Sequence, residues 1–201
     1  MKKYLLLDAD GVTIPASTYF STRYANEFGI PVEILLPFFK NEFLECQIGK
    51  KDLKEVLGKY LQSWQWNKSI DDLLQYWFED GAMPVADIMA VVKMARDEGT
   101  QTYLATDQEK YRAEYLWNTL VLCKHFDGSL FSHVIGSCKN DPVYWTRVLQ
   151  LLGNPDPSEV EFWDDDEKVV AVAKNAGIDA HFFTTAEEFK RLVLVSCNHI
   201  K

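Results

Sequence analysis

The chain is predicted to form a doubly wound parallel α/β sheet with an all-helical segment inserted after its first strand. Three observations carry this. After about Met83, short apolar runs alternate with stretches of helical period, the pattern of strands joined by crossover helices. Between about Ile14 and Gly81 no strand is convincing and helical periods dominate. The run Leu5-Leu6-Leu7 has no polar face, as in a strand buried on both sides, and it stops abruptly at Asp8-Ala9-Asp10-Gly11.

Taken in order, residues 5–7 read as the first strand, with Asp8 at its carboxyl end, where open α/β sheets bind ligands. Gly11 lets the chain turn sharply there. Helices follow over 18–28, 32–45, 51–62 and 70–79, separated by dips at Gly29-Ile30-Pro31, Gly49 and Asn67-Lys68. This segment is rich in aromatics: Phe38, Phe39, Phe43, Tyr60, Trp64, Trp66, Tyr76, Trp77 and Phe78. Most are expected in a core, with some of Phe38, Phe39, Trp64 and Trp66 facing a site. Residues 84–98 read as a helix with Pro84 at its start and Gly99 at its end. Strand 101–105, helix 108–122, strand 131–135, helix 141–152, strand 159–163, helix 166–176 and strand 179–183 follow, and a last helix begins near Thr185.

Four places along this order carry chemistry. Asp8 and Asp10, spaced i, i+2, repel one another unless a cation or a shared proton intervenes, which makes them a candidate Mg²⁺ site; an ordinary Asp-Gly turn is the plainer alternative. Thr106 sits where a strand end meets a helix start, a position that binds phosphate, or one where Thr106 or Asp107 is simply an N-cap. Lys139, in Ser137-Cys138-Lys139-Asn140-Asp141-Pro142, places a cation at the sheet rim. As a solvated loop residue it would contribute only about 0–1 kcal/mol to stability. Finally, Val160-Glu161-Phe162-Trp163 runs into Asp164-Asp165-Asp166, an acidic cluster that is costly without a cation.

In this order and context the four motifs resemble the haloacid dehalogenase-like hydrolase superfamily, and within it the Mg²⁺-dependent phosphatases with a small helical cap. The resemblance covers roughly residues 3–189. It implies a Rossmann-like core of residues 1–14 and 81–201 and an α-helical cap of residues 15–80. It also implies that Asp8 is the nucleophile, passing through an aspartyl-phosphate, and that Asp10 is the general acid and base. Mg²⁺ is then held by Asp8, the Asp10 main-chain carbonyl and Asp164, with Asp165 acting through water or by orienting Lys139. Thr106 and Lys139 hold the phosphoryl group, and the substrate is a small phosphorylated metabolite. Asp141 and Asp166 are left as caps or solvated residues.

Three positions depart from the family pattern. Asp107 stands where Asn is common and adds negative charge near the phosphate, Asn140 replaces a frequent Pro, and Val169-Val170 stands where Asn-Val often braces the acidic loop. A 2-haloacid dehalogenase shares the nucleophile but needs neither metal nor Asp10. A non-catalytic binding or regulatory protein on the same scaffold is the other alternative. Receiver domains have a different order of acidic pair, phosphoacceptor, Thr and Lys, and lack a helical insertion.

Composition sets the remaining bounds. The 201 residues are 47% hydrophobic and 25% charged, enough for a globular core. A net charge of −9 and no Lys/Arg run longer than two argue against a nucleic-acid partner. The four cysteines (Cys46, Cys123, Cys138, Cys197) and four histidines (His125, His133, His181, His199) form no zinc pattern. Reduced thiols in a cytoplasmic monomer or homodimer are expected. Cys138, beside Lys139, is either a reactive thiol or a small half-buried residue. The apolar run after Lys2-Lys3 is too short for a signal sequence, and nothing approaches a membrane span.

Overall fold

Strand β1 (Tyr4–Leu7) is the middle strand of a five-stranded, wholly parallel sheet ordered β3-β2-β1-β4-β5. The chain is described by a computed structural model covering residues 2–198, with side chains through Val193. After β1 come helices α1 (Phe20–Phe28), α2 (Leu36–Lys40), α3 (Glu42–Gln47), α4 (Leu53–Leu57) and α5 (Ile70–Phe78). Next are α6 (Ala86–Asp97), β2 (Gln101–Thr106), α7 (Lys110–Glu114), β3 (Gly128–Phe131), α8 (Ser132–Ile135) and α9 (Pro142–Leu151). The chain closes with β4 (Val160–Asp164), α10 (Glu167–Asn175), β5 (Asp179–Phe182) and α11 (Ala186–Asn198).

The uninterrupted apolar run of β1 is explained by its two faces. Leu5 and Leu7 pack with Ile88, Val91 and Val92 of α6 and Phe189 of α11. Tyr4 and Leu6 point the other way, against Tyr144, Trp145 and Val148 of α9 and Ala173 of α10. A strand covered on both sides needs apolar residues at every position, since successive side chains alternate. Each fully buried leucine contributes about 1.5–3 kcal/mol.

The helical insertion has a separate aromatic core. Phe38 and Trp64 have no exposed surface, and Phe20, Tyr24, Trp66 and Leu73 pack around them. It is docked on the sheet domain by polar contacts. Ser132 Oγ donates to the Gln47 carbonyl at 2.6 Å. Tyr111 Oη donates to Asp52 at 2.7 Å. Gly49, with φ +71°, lies so close to His133 that a Cβ there would collide with the His133 carbonyl oxygen.

Several expected elements are corrected. Residues 131–135 are not a strand: β3 ends at Phe131 and 132–135 form the helical turn α8, stopped by Gly136 in the left-handed region. Ser132 and Ile135 are buried and Val134 is exposed, the i, i+3 spacing of a helix, not the alternation of a strand. The helix expected over 32–45 is three pieces. Pro37 lies in the first turn of α2, where a missing N–H is tolerated, so a helix restarts there. Asn41, at φ −126° and ψ −88°, then separates α2 from α3. The 51–62 helix is regular only in α4, and the 108–122 helix only in α7, beyond which residues 115–119 widen into a π turn.

Among the described residues, Cys46, Cys123 and Cys138 are free thiols; the Cys197 side chain and His199 lie outside the described residues. No described helix is long and apolar enough to cross a membrane.

Candidate active site

Because β1 lies between β2 and β4, three strand ends meet: Asp8 just beyond β1, Thr106 ending β2 and Asp164 ending β4. The chain leaves β1 toward β2 and β3, then returns to β4 on the other side. The site therefore stands at the point where strand order reverses, where open α/β sheets form a crevice.

Asp8 is buried, and the turn after it is closed on itself. Thr13 Oγ1 donates to the Asp8 carbonyl at 2.6 Å, and Ile14 N–H donates to Ala9 O at 2.8 Å. Gly11 is needed twice over. Its φ is +87°, and a Cβ there would collide with the Asp165 carboxylate. Asp8, Asp164 and Asp165 bring one carboxylate oxygen each to within 4.8 Å of one another, a group able to hold a metal ion.

Lys139 is not a solvated loop residue. Its ammonium is buried between Asp8 Oδ1 at 2.7 Å and Asp164 Oδ2 at 2.6 Å. Both ends of its peptide are fixed: its N–H donates to the Asp107 carboxylate at 3.0 and 3.2 Å, and its carbonyl accepts from Trp145 Nε1 at 2.8 Å. Asp107 is therefore a brace for the lysine loop, a role its charge alone did not suggest. The second oxygen of Asp164 accepts the Asp166 N–H at 2.8 Å.

One ammonium faces three carboxylates, and the imbalance is visible in the acids. Burial pushes the Asp8 carboxyl up to about 7, with Lys139 opposing and Asp164 and Asp10 reinforcing the shift. Asp165 is also raised, by burial and by Asp164. The three acid donors fit a hard divalent cation, which prefers oxygen ligands and would cancel the excess charge. Burial opposes the charged form of Lys139, but Asp8, Asp164 and Asp107 more than offset it and hold the ammonium charged.

The carboxylate of Asp10 is held elsewhere, by Gln108 Nε2 at 2.7 Å and Arg112 Nη2 at 3.2 Å. The metal role expected of Asp10 is one for its main-chain carbonyl and not for this carboxylate, which lies outside the group of Asp8, Asp164 and Asp165. Thr106 is buried and its hydroxyl accepts from Gln108 Nε2 at 3.3 Å. It does not cap the following helix: Glu109 does, accepting from Tyr111 and Arg112 N–H. Asp141 and Asp166 are N-caps of α9 and α10. Burial raises the Cys138 thiol to about 12, so it is the inert alternative that holds.

Above these groups lies a cavity of about 1000 Å³ roofed by the helical insertion. Its aromatic wall includes Phe20, Phe39, Phe43, Trp77 and Phe78 of the insertion. Some of Phe38, Phe39, Trp64 and Trp66 are expected to face the site, and Phe39 is the one that lines the cavity; Phe38, Trp64 and Trp66 belong to the insertion's core. Gln108 and Arg112 carry no role expected from the sequence, and Asp107 only that of a cap or of added charge. The available signal was an arginine in the first helical turns after Thr106, in an acidic chain.

Comparison with known proteins places this architecture. No protein-family model matches the chain. An enolase-phosphatase of Meyerozyma guilliermondii is 26% identical over 136 residues, 67% of this chain and 55% of that protein; the chain thus spans about half the length of this relative. Among solved structures, a HAD family enzyme from Bacteroides thetaiotaomicron superposes with a TM-score of 0.82 at 18% identity, over 95% of this chain and 98% of that one. A HAD-like family hydrolase from Porphyromonas gingivalis superposes with a TM-score of 0.79 at 18% identity, over 99% of both chains. The L-2-haloacid dehalogenase of Xanthobacter autotrophicus does so with a TM-score of 0.62 at 19% identity, over all of this chain and 85% of that one. The chain has the fold of the haloacid dehalogenase-like hydrolases, over almost its whole length and with the helical insertion included.

Proposed function

We propose that the protein is a Mg²⁺-dependent phosphoric monoester hydrolase that acts on a small phosphorylated metabolite through an aspartyl-phosphate. The observation that carries this reading is Lys139 buried between Asp8 and Asp164 at the meeting of three strand ends. Such a group neutralises charge where a phosphoryl group must approach a carboxylate. The Bacteroides enzyme with this fold was crystallised with magnesium and inorganic phosphate, which supports the same chemistry here.

Asp8 attacks phosphorus in line with the leaving oxygen. Asp10 gives its proton to that oxygen, then takes one from the water that hydrolyses the acyl phosphate. Thr106 and neighbouring N–H groups bind the phosphoryl oxygens, and Lys139 offsets their charge. Mg²⁺ held by Asp8, Asp164 and the Asp10 main-chain carbonyl, with Asp165 behind them, would supply the further positive charge that lets two anions meet. The helical insertion then serves as a cap, excluding water from the cleft. The test is turnover of para-nitrophenyl phosphate with Mg²⁺ and its loss in EDTA. Full activity in EDTA, or halide release from a 2-haloacid, rejects the assignment.

A further inference from the structure

The Asp10 side chain is 49% exposed, yet both of its oxygens are taken. Gln108 Nε2 donates to Oδ2 at 2.7 Å and Arg112 Nη2 donates to Oδ1 at 3.2 Å. Neither donor is free to wander. Gln108 Nε2 also donates to Thr106 Oγ1 at 3.3 Å. The Arg112 side chain is 12% exposed, and its other arm, Nη1, donates to the Phe78 carbonyl at 3.0 Å. Its guanidinium lies over the rings of Phe78 and Tyr115, at 5.6 and 5.4 Å. Phe78 is the last residue of α5, where the helical insertion returns to the sheet domain.

We propose that Gln108 and Arg112 are positioning residues that aim the Asp10 carboxylate, and that Arg112 registers that aim to the helical insertion through Phe78. The inference rests on Asp10 serving as the proton donor proposed above. A half-exposed aspartate held by nothing rotates freely about two torsions, but a general acid must reach its oxygen within about 2.6–3.2 Å. One donor on each carboxylate oxygen fixes both torsions. The planar fork of arginine spans Asp10 and the Phe78 carbonyl together, which the single ammonium of lysine does not do in the same geometry. Movement of α5 relative to the sheet therefore moves the acid, so protonation of the leaving group is coupled to the placement of the insertion.

The test compares kcat/KM for two probes with Mg²⁺. Para-nitrophenyl phosphate has a leaving group that departs without a proton, and phenyl phosphate has a more basic one of nearly the same size. Gln108→Leu and Arg112→Lys are each expected to lose about tenfold more on phenyl phosphate than on para-nitrophenyl phosphate, part of the range a general acid supplies. On an Asp10→Asn background neither substitution should widen that ratio further, because the group being aimed is gone. Equal losses on both probes, or undiminished widening in the Asp10→Asn background, overturn the proposal. If Arg112→Lys melts at assay temperature, Gln108→Leu decides alone. A parent inactive on both probes rejects the phosphatase reading and this inference with it, a result distinct from an active parent whose variants lose both probes equally.

Discussion

Asp8, Asp164 and Lys139 are nearly buried where the strand ends meet, and Asp8 Oδ1, both Asp164 carboxylate oxygens and the Lys139 ammonium have partners at 2.6–2.8 Å. Across the cavity, Phe20, Phe39, Phe43 and Trp77 form part of the lining. The floor is held by charge and by the sheet. The roof is held by dispersion among rings, which tolerates exchange of one hydrophobic side chain for another of similar volume. Under the proposed function, whether chemistry occurs is decided at the floor, and which substrate is used is decided at the roof.

The largest effect that would break this contrast is at the nucleophile. Asp8→Asn keeps the shape and removes the attacking oxygen anion, so turnover of para-nitrophenyl phosphate should fall by at least about 10⁴-fold, as for other covalent nucleophiles. Far-UV circular dichroism should be unchanged. Substantial residual turnover would show that the floor does not contain the nucleophile.

Lys139→Ala comes next, and the structure alters what to expect of it. As a surface residue it would matter for rate and hardly for stability. Buried between two carboxylates, it should matter for both. Loss of one electrostatic group at the transition state costs about 10²–10³ in kcat. Removing one partner of a buried pair costs about 3–5 kcal/mol because the remaining charges are left uncompensated. Denaturant unfolding of the metal-free protein reads the second quantity. An unchanged midpoint would mean that the acids protonate to relieve themselves, making the floor less rigid than the roof.

Mg²⁺ should act on the floor alone. A ligand that binds only the folded state at about 100 times its Kd adds about 2.7 kcal/mol. For a chain of this size that is a rise in Tm of roughly 5–10 °C. Thermal melts in Mg²⁺ and in EDTA measure it without any substrate. The rise should vanish in an Asp164→Asn variant and survive Phe39→Leu; an equal rise in both would separate cation binding from the acidic cluster.

How far the sequence revealed these two regions follows the same divide. The floor was legible because its signals are local: Leu5 to Leu7 have one burial rule, and acids at strand ends are rare enough to stand out. Even there, the partner of each group was hidden. Nothing near Asp10 in sequence announces Gln108 or Arg112, 98 and 102 residues away. Asp107 looked like a liability until its carboxylate was found on the Lys139 N–H. The 131–135 run, Phe-Ser-His-Val-Ile, reads as strand or as helix because five residues are too few to show a period. There Gly136 and the Ser132 bond to Gln47 decide for a helical turn. The roof was legible only as composition: helices rich in rings. Which ring faces inward depends on where α2 breaks and restarts, and a break set by Pro37 and Asn41 shifts every later side chain around the axis.

The smallest expected effects distinguish the two kinds of ring within the roof itself. Phe38 and Trp64 are completely buried among other aromatics, while Phe39, one residue on, lines the cavity. Phe38→Ala and Trp64→Ala should each destabilise the fold by about 3–5 kcal/mol, the cost of a large cavity. Any variant of these that stays folded should rank a panel of phosphate monoesters as the parent does. Phe39→Leu, Phe43→Leu and Trp77→Phe change the cavity wall with a modest loss of volume, so they should reorder kcat/KM across that panel by about 10–200-fold between best and worst, the range that a methylene or two in an apolar pocket commands. Their effect on para-nitrophenyl phosphate, which demands little of the roof, should be weaker. A panel ranking that moves with Phe38 and Trp64 but not with Phe39, Phe43 and Trp77 would mean that the roof selects substrates through its packing and not through its surface.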